Sequence, residues 1–349
     1  MMDASIVYRF DAQSGAFIDN FVTAGAFGSE GVNLFWSMAS GPRDLYVSTL
    51  KVYPVPVGIA RYSGRNGSLI DSFYLPNDFQ YGQRRRPIAV GPDGNLYVGE
   101  IHGSGSWFDG PKPIWRFKAD TGALIDIFVP TGSGGLMGTA DLIFGPDGHL
   151  YVLTPIGPDN VGGRNVLRYD GTSGAFLDEF VAADSGGLKE ADHMVFGPDG
   201  NLYLADHVGA RVYRYNGTTG TFIDQFVSES TGEFRSPCGI AFGPDGNLYL
   251  AVDIYGSPHP NKVLRYHGTT GALMGSLPAK FPDTIHDLLV TSMDVRLRPV
   301  PVLWRPVPRW LQVILPIGLG IVIGIVVASL ARISVPPQNL RSRLNQRFR

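Results

Sequence analysis

A single phrase recurs along this chain and constrains its fold more than any one residue does. It runs as an apolar pair, then Gly-Pro-Asp-Gly-Asn-Leu-Tyr, a spacer, and Leu-Arg-Tyr-x-Gly-Thr-x-Gly-Ala-Phe. Copies begin at Gly91, Gly145, Gly197 and Gly243, with a degraded one at Gly41-Pro42-Arg43-Asp44-Leu45-Tyr46-Val47. Successive starts lie 50, 54, 52 and 46 residues apart. Self-similarity at such a period belongs to repeat architectures, whose units bury their apolar faces only against neighbours.

One unit, Ile240 to Leu277, shows what the phrase encodes. Ile240-Ala241-Phe242 is a short apolar run, and Gly243-Pro244-Asp245-Gly246 is a turn in which Asp-Gly supplies a positive φ. Asn247-Leu248-Tyr249-Leu250 and Val263-Leu264-Arg265-Tyr266 are rich in strand formers. Gly268-Thr269-Thr270-Gly271 is a second tight turn, and Ala272-Leu273-Met274 opens a fourth strand. Four antiparallel strands per unit describe a β-propeller blade. No sustained 3.6-residue apolar period occurs between Met1 and Arg298, so long helices are not expected there.

The ends of the repeat region complete one another. Ile6 to Phe10 and Ala16 to Asp19 read as third and fourth strands, while Asp287 to Val290 and Asp294 to Leu297 read as first and second strands. Joining them in one composite blade leaves no sheet edge exposed. Five internal repeats and this composite predict an all-β, six-bladed propeller of four-stranded blades. The phrases at Gly239 to Leu250 and Asn201 to Asp206 resemble NHL-type repeats over residues 1–298. That resemblance implies the fold and leaves function open, because the family spans lyases, lactonases and binding scaffolds.

Charge divides unevenly. Arg296 to Arg349 contains nine Arg and no Lys, Asp or Glu. The first 295 residues hold 20 basic and 31 acidic side chains, a net of about −11. An acidic propeller repels phosphate backbones, so nucleic acid is not an expected partner. Leu311 to Ala331 is 21 residues with only Gln312 and Ser329 strongly polar, which predicts one transmembrane helix. Trp310 and Arg332 would flank it at the headgroups, and Gly320 and Gly324 form a small-residue pair within it. The predicted organisation is thus a propeller over 1–298, a Pro-rich linker over 299–310, a membrane helix over 311–331 and a basic tail over 332–349. Met1 to Ser5 leads straight into a strand without a basic and apolar leader. The expectation is a single-pass C-terminal membrane anchor, with the propeller cytoplasmic if the N-terminus is complete and extracytoplasmic otherwise.

Functional groups of a propeller gather where the innermost strands open onto the central channel. Seven residues before each turn Asp stand Ser37, Arg86, Ala140, Asp192 and Cys238, and His286 completes the ring by analogy. NHL-type amidating lyases place zinc-binding His at this ring; the chain matches that pattern only at His286. Gluconolactonase-like relatives gather carboxylates and Asn around calcium, and only Asp192 would serve. Asp192, Cys238 and His286 lie on consecutive blades, with His193, Asp141 and Asp287 one step further along, and Cys, His and carboxylate are acceptable ligands for a divalent ion in the channel. No cofactor is otherwise predicted. Arg84-Arg85-Arg86 reads as a solvated basic loop, with contact to an anionic ligand as the alternative. Asn66-Gly67-Ser68 and Asn216-Gly217-Thr218 fit glycosylation acceptors but occupy hairpin corners, where turn chemistry accounts for them. Trp107 and Phe108 mark the least repeat-like loop, a candidate contact surface. From the anchor and the incomplete catalytic set, the expected function is a non-enzymatic accessory or docking subunit with membrane-protein partners. The alternative is a metal-dependent lyase or lactonase-like hydrolase at the channel mouth.

Overall fold

The computed structural model describes residues 6–11, 16–22, 34–50, 58–75, 86–101, 110–155, 164–228, 236–253, 262–277, 287–291, 310–314 and 323–328. The chain is an all-β propeller. It opens with β1 (Ile6–Phe10) and β2 (Phe17–Val22). Blade 1 follows as β3 (Leu34–Ser40), β4 (Asp44–Leu50), β5 (Gly58–Ser63) and β6 (Leu69–Tyr74). Blade 2 is β7 (Ile88–Val90), β8 (Leu96–Val98), β9 (Ile114–Phe117) and β10 (Leu124–Val129). Blade 3 is β11 (Asp141–Phe144), β12 (Leu150–Leu153), β13 (Val166–Tyr169) and β14 (Phe176–Val181). Blade 4 is β15 (Ala191–Phe196), β16 (Leu202–Asp206), β17 (Arg211–Tyr215) and β18 (Phe222–Val227). Blade 5 is β19 (Ser236–Phe242), β20 (Leu248–Asp253), β21 (Lys262–Tyr266) and β22 (Leu273–Ser276). Last come β23 (Asp287–Thr291), β24 (Trp310–Ile314) and β25 (Ile323–Ala328). Each blade is a four-stranded antiparallel meander.

Turn chemistry sets each blade's register. The glycines of the first hairpins of blades 2 to 5, Gly94, Gly148, Gly200 and Gly246, have φ between 73° and 79°. In blade 4, Asp199 accepts the Asn201 N–H at 3.1 Å, the Asn201 amide at 2.7 Å and the Tyr203 hydroxyl at 2.9 Å. Blades 2 and 5 repeat this set. Burial pushes the carboxyls of Asp93, Asp199 and Asp245 up, but these hydrogen bonds and a nearby Arg outweigh it and hold each below the ordinary carboxylate range. Asn66 and Asn216 also accept local backbone N–H groups, so both former acceptor motifs serve as turns.

The third and fourth strands are stitched by Arg and Asp ten residues apart: Arg9 to Asp19, Arg61 to Asp71, Arg116 to Asp126, Arg168 to Asp178 and Arg214 to Asp224. In blade 5 the partner position is Gly275, and Arg265 pairs instead with the turn Asp245 at 2.5 Å. Between blades the packing is aromatic. Tyr203 meets Phe226 of its own blade edge-on at 5.0 Å and Phe242 of the next at 4.8 Å. Tyr97 and Tyr151 do the same in blades 2 and 3. Such pairs add about 0.5–1.5 kcal/mol each beyond their buried area. Blades also touch backbone to backbone: a Cβ on Gly174 (φ 73°) would stand 1.9 Å from the Phe128 carbonyl oxygen.

Two expectations are corrected here. Among the described residues there are five four-stranded blades, not six. The closing sheet joins both ends of the chain, as the repeat pattern implied, but it is five-stranded in the order β2-β1-β24-β23-β25. Its irregularity has a cause: β25 pairs parallel with both β1 and β23, so no single meander accounts for the sheet. Residues 294–297, expected as its second strand, lie outside the described residues, and β24 takes that place. The second correction concerns the membrane helix. No helix among the described residues is long and apolar enough to cross a membrane. The described parts of 311–331 are strands, and Val and Ile suit a buried strand as well as a helix. Trp310 starts β24 and Gly324 lies in β25, whereas Gly320 and Arg332 lie outside the described residues.

Candidate functional site at the channel mouth

The two ends of the propeller differ. One carries only the short hairpin turns within the repeat. The other, here called the mouth, carries the connections from second to third strand and from each blade to the next. The innermost strands β3, β7, β11, β15 and β19 enclose a cavity of about 400 Å³, lined by Ser37, Ile88, Asp141, His193 and Ile240 among others. Their first residues face the mouth.

Three of the ring positions counted from the sequence coincide with irregular pairing. The register slips between Phe35 and Met38, between Ala191 and His193, and between Pro237 and Gly239, so Ser37, Asp192 and Cys238 all sit in β-bulges. A bulge adds a residue to one strand and re-aims its side chain, as strands beside active sites often do. Ser37, in its bulge, and Asp141, in regularly paired strand, both serve structurally. Ser37 accepts the Ile88 N–H at 3.3 Å, and Asp141 accepts the Met194 N–H at 2.9 Å. Both thereby tie one inner strand to the next. The Cys238 thiol, partly buried, donates to the Ser236 carbonyl at 3.4 Å.

Asp192 has a different partner. Its Oδ2 lies 3.3 Å from Nδ1 of His207, with the two side chains 19% and 29% exposed, although Nδ1 itself is buried and has no hydrogen-bond partner among the described residues. His207 stands in the β16–β17 connection, residues 207–210, the shortest second-to-third-strand connection in the five blades. Among the described residues, three non-glycine residues have left-handed backbone, Arg164 (φ 61°), Asp184 (φ 58°) and Ala210 (φ 50°). All three lie in mouth-side connections of blades 3 and 4. Backbone strain of this kind, about 1–3 kcal/mol each, clusters at functional sites.

A second mouth-side ring was not anticipated. Three residues beyond the Tyr of each second strand stand Thr49, Glu100, Thr154 and Asp206, all buried. The signal was available: each places a polar group where the strand phrase should stay apolar. Thr49 bridges to Gly58, and Thr154 to Asn165. Glu100 meets Arg86 at 3.4 Å, and Arg86 is fully buried. The solvated basic loop expected at Arg86 is thus corrected: a guanidinium inside the blade stack needs a carboxylate beside it, and Glu100 supplies one.

The described residues do not fit a metal ion. No three His, Cys, Asp or Glu side chains among them could hold one together. Asp141 spends its oxygens on the N–H groups of Leu142 and Met194. Asp287 starts β23, and His286 lies outside the described residues, as do Trp107 and Phe108.

No protein-family model and no curated protein sequence matches the chain, so the resemblance to NHL repeats stops at the propeller fold. Solved structures match it as a fold. A candidate gluconolactonase is 14% identical, with a TM-score of 0.59 over 95% of this chain and 96% of that one. A gluconolactonase of Xanthomonas campestris is 17% identical, with a TM-score of 0.53 over 74% and 79%. The calcium-binding protein regucalcin of Agrobacterium tumefaciens is 15% identical, with a TM-score of 0.52 over 82% and 83%. The expectation of a non-enzymatic docking subunit of a membrane complex is corrected by these neighbours. It rested in part on a membrane helix that the described residues do not form, whereas these neighbours share the β-propeller fold and carry lactonase names.

Proposed function

We propose that the chain is a lactonase-like hydrolase working at the channel mouth, with Asp192 and His207 as its acid–base pair. The observation that carries this reading is the 3.3 Å approach of the two side chains at a bulge beside the shortest second-to-third-strand connection. The fold shared with gluconolactonases supports the reaction class.

The chemistry follows from the pair. With its proton on Nδ1, facing Asp192, the imidazole has a free lone pair on Nε2. Nε2 takes a proton from water as the water oxygen bonds to the lactone carbonyl carbon. The Asp192 carboxylate stabilises the imidazolium so formed. As the tetrahedral adduct collapses, the ring C–O bond breaks and Nε2 returns the proton to the leaving alkoxide, giving a hydroxy acid. At 3.3 Å Nδ1 and Oδ2 are close but do not make a hydrogen bond in this structure, and catalytic contacts of this kind are often poorly aligned until substrate binds.

The test is a panel of five- and six-membered lactones, polyhydroxylated and alkyl-substituted, with ring opening followed by acid release. Turnover of one group by the purified chain, lost in Asp192→Asn, is the expected result. No turnover of any lactone, or turnover indifferent to Asp192→Asn, would overturn the reading.

A further inference from the structure

Asp206 ends β16 one residue before His207, and its side chain is fully buried. A buried carboxylate is costly unless its oxygens are satisfied. Here Oδ2 accepts the Lys189 N–H at 2.7 Å, while Oδ1 accepts those of Glu190 at 3.2 Å and Gly209 at 2.7 Å. These are two separate pieces of chain. Lys189 and Glu190 lead into β15, two residues before Asp192; Gly209 follows His207 by two. The His207 N–H in turn donates to the Glu190 carbonyl at 2.9 Å. One carboxylate therefore clamps the segment that delivers Asp192 to the segment that delivers His207. Gly209 is shaped to this clamp, since a Cβ there would lie 2.8 Å from Oδ2.

In blade 2 the same position is Glu100, whose carboxylate answers the buried Arg86, but in the remaining blades it serves simpler ends. Thr49 and Thr154 close a strand pair with one hydroxyl, and in blade 5 the position is the apolar Val252. A blade closes without an acid here, so strand pairing alone does not explain one in blade 4.

We infer that Asp206 is a positioning residue: it sets the geometry of the Asp192–His207 pair by fixing both backbone segments. The inference rests on the hydrolase reading for its catalytic consequence, but its structural core can be tested without any substrate. In Asp206→Asn one oxygen becomes an NH2 that cannot accept, so at least one of the three N–H groups loses its partner.

The experiment is nitrogen-15 NMR of the full chain with labelled histidine, the His207 ring signals being assigned by their loss in His207→Gln. In wild type they are expected to show one fixed tautomer with Nδ1 protonated. In Asp206→Asn they are expected to move towards an average of the two tautomers, while thermal unfolding remains cooperative. If lactone turnover is found, kcat in this variant should fall about tenfold to a hundredfold with KM unchanged. Gly209→Ala pushes on the carboxylate without removing it, and should shift the same signals in the same direction if Asp206→Asn does not fold. Ring signals of His207 unchanged in either folded variant would overturn the inference. A chain with no lactone turnover whose His207 signals still respond to Asp206 would keep the positioning role and defeat only the hydrolase reading.

Discussion

Asp192 was legible in the sequence and His207 was not, and the difference is physical. Asp192 occupies a fixed offset from a repeated turn, so counting back from Asp199 finds it. His207 sits in a connection outside the repeated phrase, where no other blade offers a position to align. Its contact with Asp192 is made by two ends of antiparallel neighbours, β15 and β16, which only the pairing of Ala191 with Asp206 brings together. At this scale the expectation is sharp. His207→Gln keeps a polar side chain but removes a base, and should lower kcat by about 10²- to 10⁴-fold with little change in thermal stability, read by steady-state kinetics and calorimetry. Arg86 teaches the opposite lesson. A run of three arginines suggested solvent, but its last member is enclosed beside Glu100, and composition alone does not reveal such a partner. Arg86→Met with Glu100 intact should lower stability by about 3–5 kcal/mol, measured by urea unfolding, because it strands a buried carboxylate.

The elements were the most legible level. Gly-Pro-Asp-Gly and Gly-Thr-x-Gly specify their hairpins through local chemistry, so strands and turns followed directly from the phrase. Gly174→Ala tests this at an inter-blade contact: a left-handed alanine costs about 1–2 kcal/mol before the clash with the Phe128 carbonyl is added. Its urea midpoint should fall by more than that strain alone. The turn aspartates make stability depend on pH in a definite direction. Asp93, Asp199 and Asp245 are held below the ordinary carboxylate range, so their contribution is complete above the unfolded value near 4 and is lost as pH falls through their lower folded values. Asp199→Asn should lower stability at neutral pH and flatten the acid limb of a stability–pH curve. The apolar C-terminal run was the least legible element. Twenty-one residues match a membrane span, yet length and hydropathy do not separate a helix from two strands.

For the molecule as a whole, closure depends on where those two strands lie. β24 stands between β1 and β23, so it joins the two ends of the chain. Removing residues 299–349 should broaden the thermal transition and lower it, whereas a sharp, unchanged transition would show that the ring closes without them. Hydrolysis at the mouth needs the ring closed but not every blade contact at full strength, and this separates two variants at opposite ends of the propeller. The decisive measurement is kcat/KM for the best lactone of the panel in wild type, His207→Gln and Gly174→Ala, with unfolding temperatures recorded beside it. Catalysis by the Asp192–His207 pair requires that His207→Gln lose at least about a hundredfold at an unchanged unfolding temperature, while Gly174→Ala loses stability and keeps its turnover. Equal turnover in His207→Gln and wild type would contradict it.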